Sequence, residues 1–162
     1  TGAFAARIAC DLAATARAPV RLVLAGRNRA RLDWLVTACR ARAATFSTGV
    51  EVEAMTADLS SPATIVPLIA AASPDVVVQV ASLQTSAVIA RDDPWARLVA
   101  EGGLSATAPI QATLSARVGW AMRMAAPRAR LVNCCFPDVV NAMLAALGLP
   151  VICGVGSVGI LS

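Results

Sequence analysis

Residues 1–16 have the sequence TGAFAARIACDLAATA, in which a glycine leads directly into a run of small and apolar residues. Alanine is the strongest helix former, so the run predicts a helix, and small residues such as Gly2 and Ala9 let it lie close to a sheet. The first N–H groups, those of Gly2, Ala3 and Phe4, have no partner within the helix and can bind an anion such as a pyrophosphate. Small residues at a helix start also serve close packing alone, and this stretch does not distinguish the two interpretations.

An apolar run at residues 20–25 follows this helix and ends at the turn Gly26-Arg27-Asn28. Helix, strand and turn in this order are what a dinucleotide-binding unit has after its first strand. The glycine fingerprint of such a unit also needs a strand and a glycine before Gly2. We therefore expect the sequence to be an excerpt, with a short apolar strand upstream and a substrate domain downstream.

Strand and helix patterns alternate over the rest of the chain. The predicted strands are 50–55, 75–81, 129–135 and 151–156, and the predicted helices are 29–44, 62–69, one capped by Asp93, 109–126, and 137–147 ended by Gly148. The valine-rich run at residues 75–81 is the clearest candidate for a buried strand. The alternation predicts an α/β fold, a doubly wound parallel sheet of the Rossmann type. Residues 1–162 then form one dinucleotide-binding domain whose first strand is missing.

The composition is apolar, with 57% hydrophobic and 15% charged residues among 162. A free-standing surface usually carries more charge, so we expect a partner subunit, such as a second copy in a homodimer, or a further domain to cover part of it. The net charge of +4 is spread without a basic run, which argues against nucleic-acid binding. No signal peptide and no apolar stretch of membrane length is visible, so we expect a cytoplasmic protein that does not bind membranes.

The cysteine pattern favours free thiols. Cys10, Cys39, Cys134, Cys135 and Cys153 are odd in number, lie in apolar segments and lack the spacing of a zinc site, so we expect reduced, buried side chains. Cys134 and Cys135 are predicted within a strand, where they point to opposite faces and cannot easily share a metal. Covalent catalysis by either is disfavoured because the chain has no histidine to activate a thiol.

Arg27 stands where nucleotide-binding units contact the adenosine ribose. It follows Gly2 by about 25 positions, close to the usual interval of about 20. An acid at this point binds the ribose 2′-hydroxyl, whereas an arginine binds a 2′-phosphate through two N–H groups. Gly26 leaves room beside it, and Asn28 can cap the next helix. Isolated arginines in turns are often simply solvated, but the interval favours an NADP site.

Two further segments follow predicted strands and supply candidate cofactor contacts. Asp58 can accept a hydrogen bond from the adenine amino group while Leu59 lies against the ring, and a simple turn aspartate is the open alternative. Ala81, Ser82 and Leu83 follow the valine-rich strand, at the edge where open α/β sheets bind their ligands. We expect this loop to pass beside the pyrophosphate and ribose and to border the nicotinamide.

Several short segments are similar to those of known families. TGAFAAR at residues 1–7, LAGRNRARL at 24–32 and ADL at 57–59 resemble the N-terminal NADP-binding domain of saccharopine-dehydrogenase-like oxidoreductases. DVVVQVA at residues 75–81, RDD at 91–93 and LVN at 131–133 resemble the lactate/malate dehydrogenase pattern. The first resemblance implies a Rossmann fold and an NADP cofactor. The second implies that Asn133 lies beside the nicotinamide ribose and the substrate, although the proline that directly follows this asparagine in that family stands only at Pro137 here.

Hydride transfer usually needs a histidine, lysine or tyrosine as acid or base, and this chain contains none of them. Such groups then come from another part of the protein, from a partner, or from a carboxylate such as Asp138, although aspartates at that point commonly cap helices. We expect the cofactor domain of an NADP-dependent oxidoreductase that acts on a small carbonyl or imine substrate. The alternative is a non-catalytic NADP(H)-sensing or interaction protein. S-adenosylmethionine binding is disfavoured because Arg27 stands where an acid is expected.

Overall fold

The computed structural model describes residues 2–83 and 92–156 of the chain. Helices connect parallel strands along these residues, with more than one helix between the third and fourth strands, so the fold is α/β, as predicted. The chain divides into two compact units, Thr1–Thr64 and Ile65–Ser162, and each contains its own parallel sheet. The doubly wound arrangement stays a prediction.

The first unit pairs two strands and covers them with helices. Its elements are α1 at Ala3–Thr15, β1 at Val20–Gly26, α2 at Arg29–Thr45 and β2 at Val50–Thr56. β1 and β2 run parallel in a register that joins Val20 to Val50 and Gly26 to Thr56. The next helix, α3, spans Pro62–Ala72 and includes the boundary between the units.

The core of the first unit lies between its sheet and helices α1 and α2. α1 contributes the small side chains of Ala9 and Ala13, which let the backbone of this helix lie close to the rest of the core. Helical spacing of the apolar residues Leu32, Leu35, Val36 and Cys39 predicts that they share the inner face of α2. Leu32, Leu35 and Cys39 are almost completely buried there, and Val36 is partly buried. Burying each leucine side chain stabilises the unit by roughly 1.5–3 kcal/mol, so these two residues anchor α2 to the sheet.

The second unit orders three parallel strands as β3-β4-β5. The strands are β3 at Val76–Gln79, β4 at Arg130–Asn133 and β5 at Val151–Gly154, and the helices are α4 at Pro94–Gly102, α5 at Ala108–Ala125 and α6 at Pro137–Ala146. A short 3₁₀ helix, Leu104–Thr107, precedes α5. Across the described parts of both units, no helix combines the length and the apolar character needed to cross a membrane.

β3 is shorter and more exposed than the sequence predicts. It ends at Gln79, whose side-chain amide donates a hydrogen bond to the Ala81 carbonyl at 2.9 Å. Val76 and Val78, which share one face of the strand, are 51% and 45% exposed. A run of valines occurs whether one or both faces of a strand are covered, and here the described residues leave this face open. The prediction of a buried strand is therefore wrong for this face.

β4 also ends earlier than predicted, because the side chain of its last residue turns back to the chain. Asn133 Oδ1 accepts from the Cys135 N–H at 3.1 Å, and Asn133 Nδ2 donates to the Cys135 carbonyl at 3.1 Å. Cys134 and Cys135 therefore lie after the strand, and the prediction that they occupy its two faces is wrong. Cys153 is exposed, so the prediction that all the thiols are buried is wrong as well.

Helix ends follow the sequence closely. Asn28 Oδ1 accepts from the Arg31 N–H at 2.9 Å, and Asp93 Oδ1 accepts from the Ala96 N–H at 2.8 Å, which confirms both predicted N-caps. Gly148 follows α6 with a φ of 66°, which confirms the predicted glycine stop.

Helices α2 and α6 end in the same hydrogen-bonded motif with different residues at its left-handed position. After α2, Thr48 N–H donates to the Ala43 carbonyl at 3.0 Å and Ser47 N–H donates to the Ala44 carbonyl at 3.3 Å. Gly148 takes the place of Ser47 in the motif after α6. Ser47 has a φ of 52°, a conformation that its Cβ disfavours and that glycine adopts freely.

Replacing Ser47→Gly is expected to stabilise the first unit by roughly 0.5–1 kcal/mol, because glycine has no Cβ to strain at positive φ. The reverse change, Gly148→Ser, is expected to destabilise the second unit by a similar amount. A Cβ at Gly148 meets only Arg123 Nη1, at 3.8 Å, so conformation and not a clash sets that cost. Denaturant unfolding measures both variants. Ser47→Ala keeps the Cβ and serves as the control, and a stabilising Ser47→Ala would contradict the explanation.

Candidate functional site

Helices α1 and α2 begin at the same edge of the first sheet. Thr48 Oγ1, just before β2, donates to the Ala13 carbonyl at 2.6 Å, so α1 ends where the strands begin. Midway along the helices, Cys10 lies beside Cys39. Since α2 starts directly after β1, both helix N-termini lie at the edge formed by the carboxyl ends of β1 and β2.

This edge has a positive electrostatic character. Gly2 is the N-cap of α1, and neither α1 nor α2 has an acidic residue in its first turn to offset the helix dipole. Arg27 is exposed directly after β1, followed by the capping Asn28, whereas the neighbouring Arg29 pairs with Asp33 at 2.9 Å. A Cβ built on Gly2 has no atom within 4 Å, so the space before α1 is open to a ligand. Ala3 and Phe4 form the exposed start of the helix.

Asp58 lies at the same edge, after β2. Its Oδ1 accepts from the Ser60 N–H at 2.9 Å, and its carbonyl accepts from Thr64 Oγ1. Hydrogen bonds from the backbone and side chain of Ser60 lower the pKa of Asp58, and the positive charge of Arg27 lowers it further. Asp58 therefore closes a turn, as the interpretation of it as a simple turn aspartate holds. Asp58 and Leu59 are also partly exposed, and the positive charge of Arg27 acts on Asp58.

A second group of candidate residues lies at the carboxyl edge of β3 and β4. The Ala81 carbonyl accepts from Gln79 Nε2 at 2.9 Å and from Cys135 Sγ at 3.1 Å. Ser82 Oγ is hydrogen-bonded to Gln111 Oε1 of α5, and Leu83 is exposed. The loop is thus fixed by its backbone and its serine, and it presents a leucine to solvent.

The Asn133 side chain is completely buried and makes all its hydrogen bonds inside the protein. Its Oδ1 accepts from Ser115 Oγ at 3.0 Å and from the Cys135 N–H. Its Nδ2 donates to the Cys135 carbonyl and to Asn141 Oδ1, the latter at 2.9 Å. An amide has two donor hydrogens and two acceptor lone pairs, so this side chain has no bonding capacity left for a ligand. Asn133 holds the turn that follows β4.

Sequence reasoning missed the polar partners of these residues, which are Gln79, Gln111, Ser115 and Asn141. Gln111 and Ser115 are four positions apart and therefore share a face of α5. Ser115 is fully buried among apolar residues of that helix. A polar pair at helical spacing among buried apolar residues was the signal that could have located this network.

The turn between β4 and α6 is tightly constrained. Phe136, the N-cap of α6, has left-handed φ and ψ of 45° and 57°. A non-glycine residue in this region stores strain on the order of 1–3 kcal/mol, which the surrounding packing must offset. A Cβ on Gly154 of β5 would lie 2.2 Å from Pro137 Cβ and 2.8 Å from Asn141 Nδ2. Only glycine lets β5 approach the start of α6 this closely.

Asp138, Cys134 and Cys135 lie near this turn, and their surroundings do not favour a catalytic role. Asp138 is exposed in the first turn of α6, where a carboxylate stabilises the helix dipole. Burial raises the pKa of Cys135 to about 11 and also raises the pKa of Cys134, so both side chains are neutral thiols near pH 7.

A cleft with a volume of about 420 Å³ lies over the first sheet and was not predicted. Its lining residues are Arg21, Arg40, Val50, Glu51, Val52 and Glu53. Arg21 Nη2 lies 2.5 Å from Glu53 Oε1, and Arg40 donates to the Val52 carbonyl at 2.7 and 3.1 Å. Both arginines are therefore engaged within the protein, and the exposed positive charge at Arg27 is the better candidate for a ligand contact.

No protein-family model matches the chain, and a comparison with curated proteins also finds no match. Thr1 and Arg91, which belong to the segments that resemble dehydrogenases, lie outside the described residues. Within residues 2–83 and 92–156, no three His, Cys, Asp or Glu side chains gather into a group that could hold a metal ion. The functional assignment therefore depends on the two edges described above.

Replacing Asn133→Ala is expected to destabilise the second unit by about 3 kcal/mol, because it removes four hydrogen bonds to groups of α5, α6 and the turn at Cys135. Asn141→Ala removes one of these bonds at a half-buried position and is the matched control, with an expected cost of about 1 kcal/mol. Denaturant unfolding of the second unit measures both. Equal costs for the two variants would contradict the central position of Asn133 in the network.

Alkylation of the thiols is expected to follow exposure and pKa. At pH 7.5 a thiol with a pKa of about 11 is ionised in roughly 3 molecules in 10,000, so Cys135 should react at least about 100-fold more slowly than the exposed Cys153. Because only the thiolate reacts, each unit of added pH below 11 should speed Cys135 about tenfold. Mass spectrometry of alkylated peptides measures both rates. Rapid labelling of Cys135 in the folded protein at pH 7.5 would be the contrary result.

Proposed function

We propose that this chain is the cofactor-binding part of an NADP-dependent oxidoreductase of the saccharopine-dehydrogenase-like kind, which transfers hydride to or from a small carbonyl or imine substrate. The observation that carries the proposal is the convergence at one sheet edge of an exposed Arg27, the N-terminus of α1 and the N-terminus of α2. Three sources of positive potential at one edge favour a ligand with several phosphate groups.

Each residue of this edge has a proposed role. The N–H groups of Gly2, Ala3 and Phe4 donate to the pyrophosphate, because they open α1 and the space beside Gly2 is unfilled. Arg27 binds the 2′-phosphate with its guanidinium fork. Asn28 fixes the start of α2 through its bond to the Arg31 N–H and so sets the position of Arg27.

The adenine and nicotinamide contacts are proposed for the residues that follow β2, β3 and β4. Asp58 accepts from the adenine amino group and Leu59 lies against the ring, since both are partly exposed after β2. Ala81, Ser82 and Leu83 border the nicotinamide. The side chain of Asn133 is fully engaged within the protein, so we assign it a positioning role: it sets the turn at Cys135.

The bound cofactor would supply or accept the hydride, and this chain would hold its phosphates. The acid or base for the substrate is not assigned, because the chain has no His, Lys or Tyr. The same absence favours a second candidate function, a protein that binds NADP(H) as a sensor and performs no chemistry. A cofactor-dependent reduction of a carbonyl or imine compound by the intact protein would distinguish the enzyme from the sensor.

Fluorescence titration of the intact protein with NADPH and with NADH tests the cofactor assignment. NADPH is expected to bind more tightly, and Arg27→Ala is expected to weaken NADPH binding about 10- to 100-fold while leaving NADH binding nearly unchanged. The reason is that only NADPH has the 2′-phosphate that Arg27 contacts.

Arg17→Ala is the matched control for this titration. Arg17 is an exposed arginine between α1 and β1, at the opposite edge of the sheet, so its removal changes the net charge equally without touching the proposed site. An equal loss of NADPH affinity in both variants would show that net charge, and not a contact of Arg27 with the 2′-phosphate, causes the weaker binding. Absence of binding for both dinucleotides would remove the cofactor assignment.

A further inference from the structure

Two cysteines from different helices lie side by side in the first unit. Cys10 of α1 and Cys39 of α2 have their sulfur atoms 3.9 Å apart, although the residues are 29 positions apart in the sequence. Ala9 and Ala13 neighbour Cys10 in the packed face of α1, and these small side chains bring the two helix backbones close at this point. A disulfide holds its sulfur atoms about 2.05 Å apart, so the two thiols must approach by about 2 Å to bond.

The surroundings of the pair distinguish the two thiols. Cys10 is partly exposed, whereas Cys39 is completely buried. Arg42 Nε donates to the Cys10 carbonyl at 2.9 Å, and Arg42 Nη2 lies 3.9 Å from the Asp11 carboxylate. The guanidinium therefore lies beside the pair, where its charge favours a thiolate at Cys39, but burial outweighs this effect and raises the pKa of Cys39 to about 12. A reagent from solution meets Cys10 first.

We propose that Cys10 and Cys39 are a reversible modification site at which a small-molecule disulfide, such as oxidised glutathione, links α1 to α2 through a disulfide bond. This inference does not depend on the proposed NADP function. Cys39 belongs to the core of the first unit, and Cys10 packs against that core.

The reaction balances in two exchange steps. The Cys10 thiolate attacks one sulfur of the external disulfide, breaks its S–S bond, releases one glutathione thiolate and leaves a mixed disulfide on Cys10. Cys39 then loses its proton, and its thiolate attacks Cys10 Sγ and releases the second glutathione thiolate. This second step is slow near pH 7, because burial keeps Cys39 mostly in its thiol form. Two protein thiols lose two protons and two electrons, and the external disulfide gains them to become two thiols.

The consequence of the bond is a covalent clamp between the two helices. It closes a loop of about 30 residues that includes β1, which restricts the unfolded chain and opposes separation of α1 from α2. The three other cysteines belong to the second unit, and Cys135 is held there by its bond to the Ala81 carbonyl at 3.1 Å.

The test is a peptide map of the intact protein after incubation in mixtures of oxidised and reduced glutathione. Acid stops the exchange, and the free thiols are then blocked with a maleimide in denaturant near neutral pH. Trypsin cleaves after arginine and places Cys10 in residues 8–17 and Cys39 in residues 32–40. All other cysteines fall in residues 131–162. A linked pair of the first two peptides, lost again on addition of reduced glutathione, is the expected result.

Variants separate the two steps. Cys39→Ala is expected to lose the linked peptides and to retain glutathione on Cys10, and Cys10→Ser is expected to lose both products. Cys153→Ser removes an exposed thiol of the second unit and should leave the yield of linked peptides unchanged. The oxidised wild-type protein should unfold at a temperature higher by roughly 5 °C or more. A wild-type map that contains only mixed disulfides, or links only to residues 131–162, would overturn the proposal.

Discussion

The parallel pairing of β1 with β2 is the constraint on which the first candidate edge depends. Parallel neighbours cannot be joined by a tight turn, so the chain must cross over through a helix before it begins the second strand. α2 provides this crossover and starts directly after Arg27. The loops after β1 and β2 therefore meet at one edge, where the Ala57 N–H donates to the Gly26 carbonyl at 3.0 Å. For this reason the charges of Arg27 and Asp58 lie close enough to interact, and Arg27 lowers the pKa of Asp58.

The parts of this arrangement that depend on neighbouring residues could be predicted from the sequence. Helical spacing identified the buried face of α2 at Leu32, Leu35 and Cys39, and a short polar side chain before a helix identified the cap at Asn28. The exposed face of β3 could not be predicted, because the same valine run occurs whether or not another layer covers it. The NADP contacts assigned to the first edge stay predictions.

The polar network around Asn133 was the least predictable part, because its members come from three elements. Ser115 belongs to α5, Asn141 to α6, and Asn133 ends β4. Each is an ordinary polar residue in its local sequence, and only the tertiary structure brings them together. A buried polar network is favourable when every group in it is bonded, and the amide of Asn133 meets this condition by using all four of its bonding positions. The resemblance to the lactate/malate dehydrogenase pattern placed Asn133 beside the substrate from its sequence position alone. That position does not reveal the hydrogen-bond partners of its side chain.

The charge of the first edge supports the proposed cofactor. This edge combines Arg27 with two helix N-termini, so the fold itself fixes its positive potential. The phosphates of NADP keep their negative charge through the reaction, while its nicotinamide ring changes between a cation and a neutral form. If Arg27 binds the 2′-phosphate, as we propose, it attracts a group that both forms of the cofactor carry. Arg27 then contributes equally to binding of the oxidised and reduced cofactor, and it influences affinity without shifting the direction of hydride transfer.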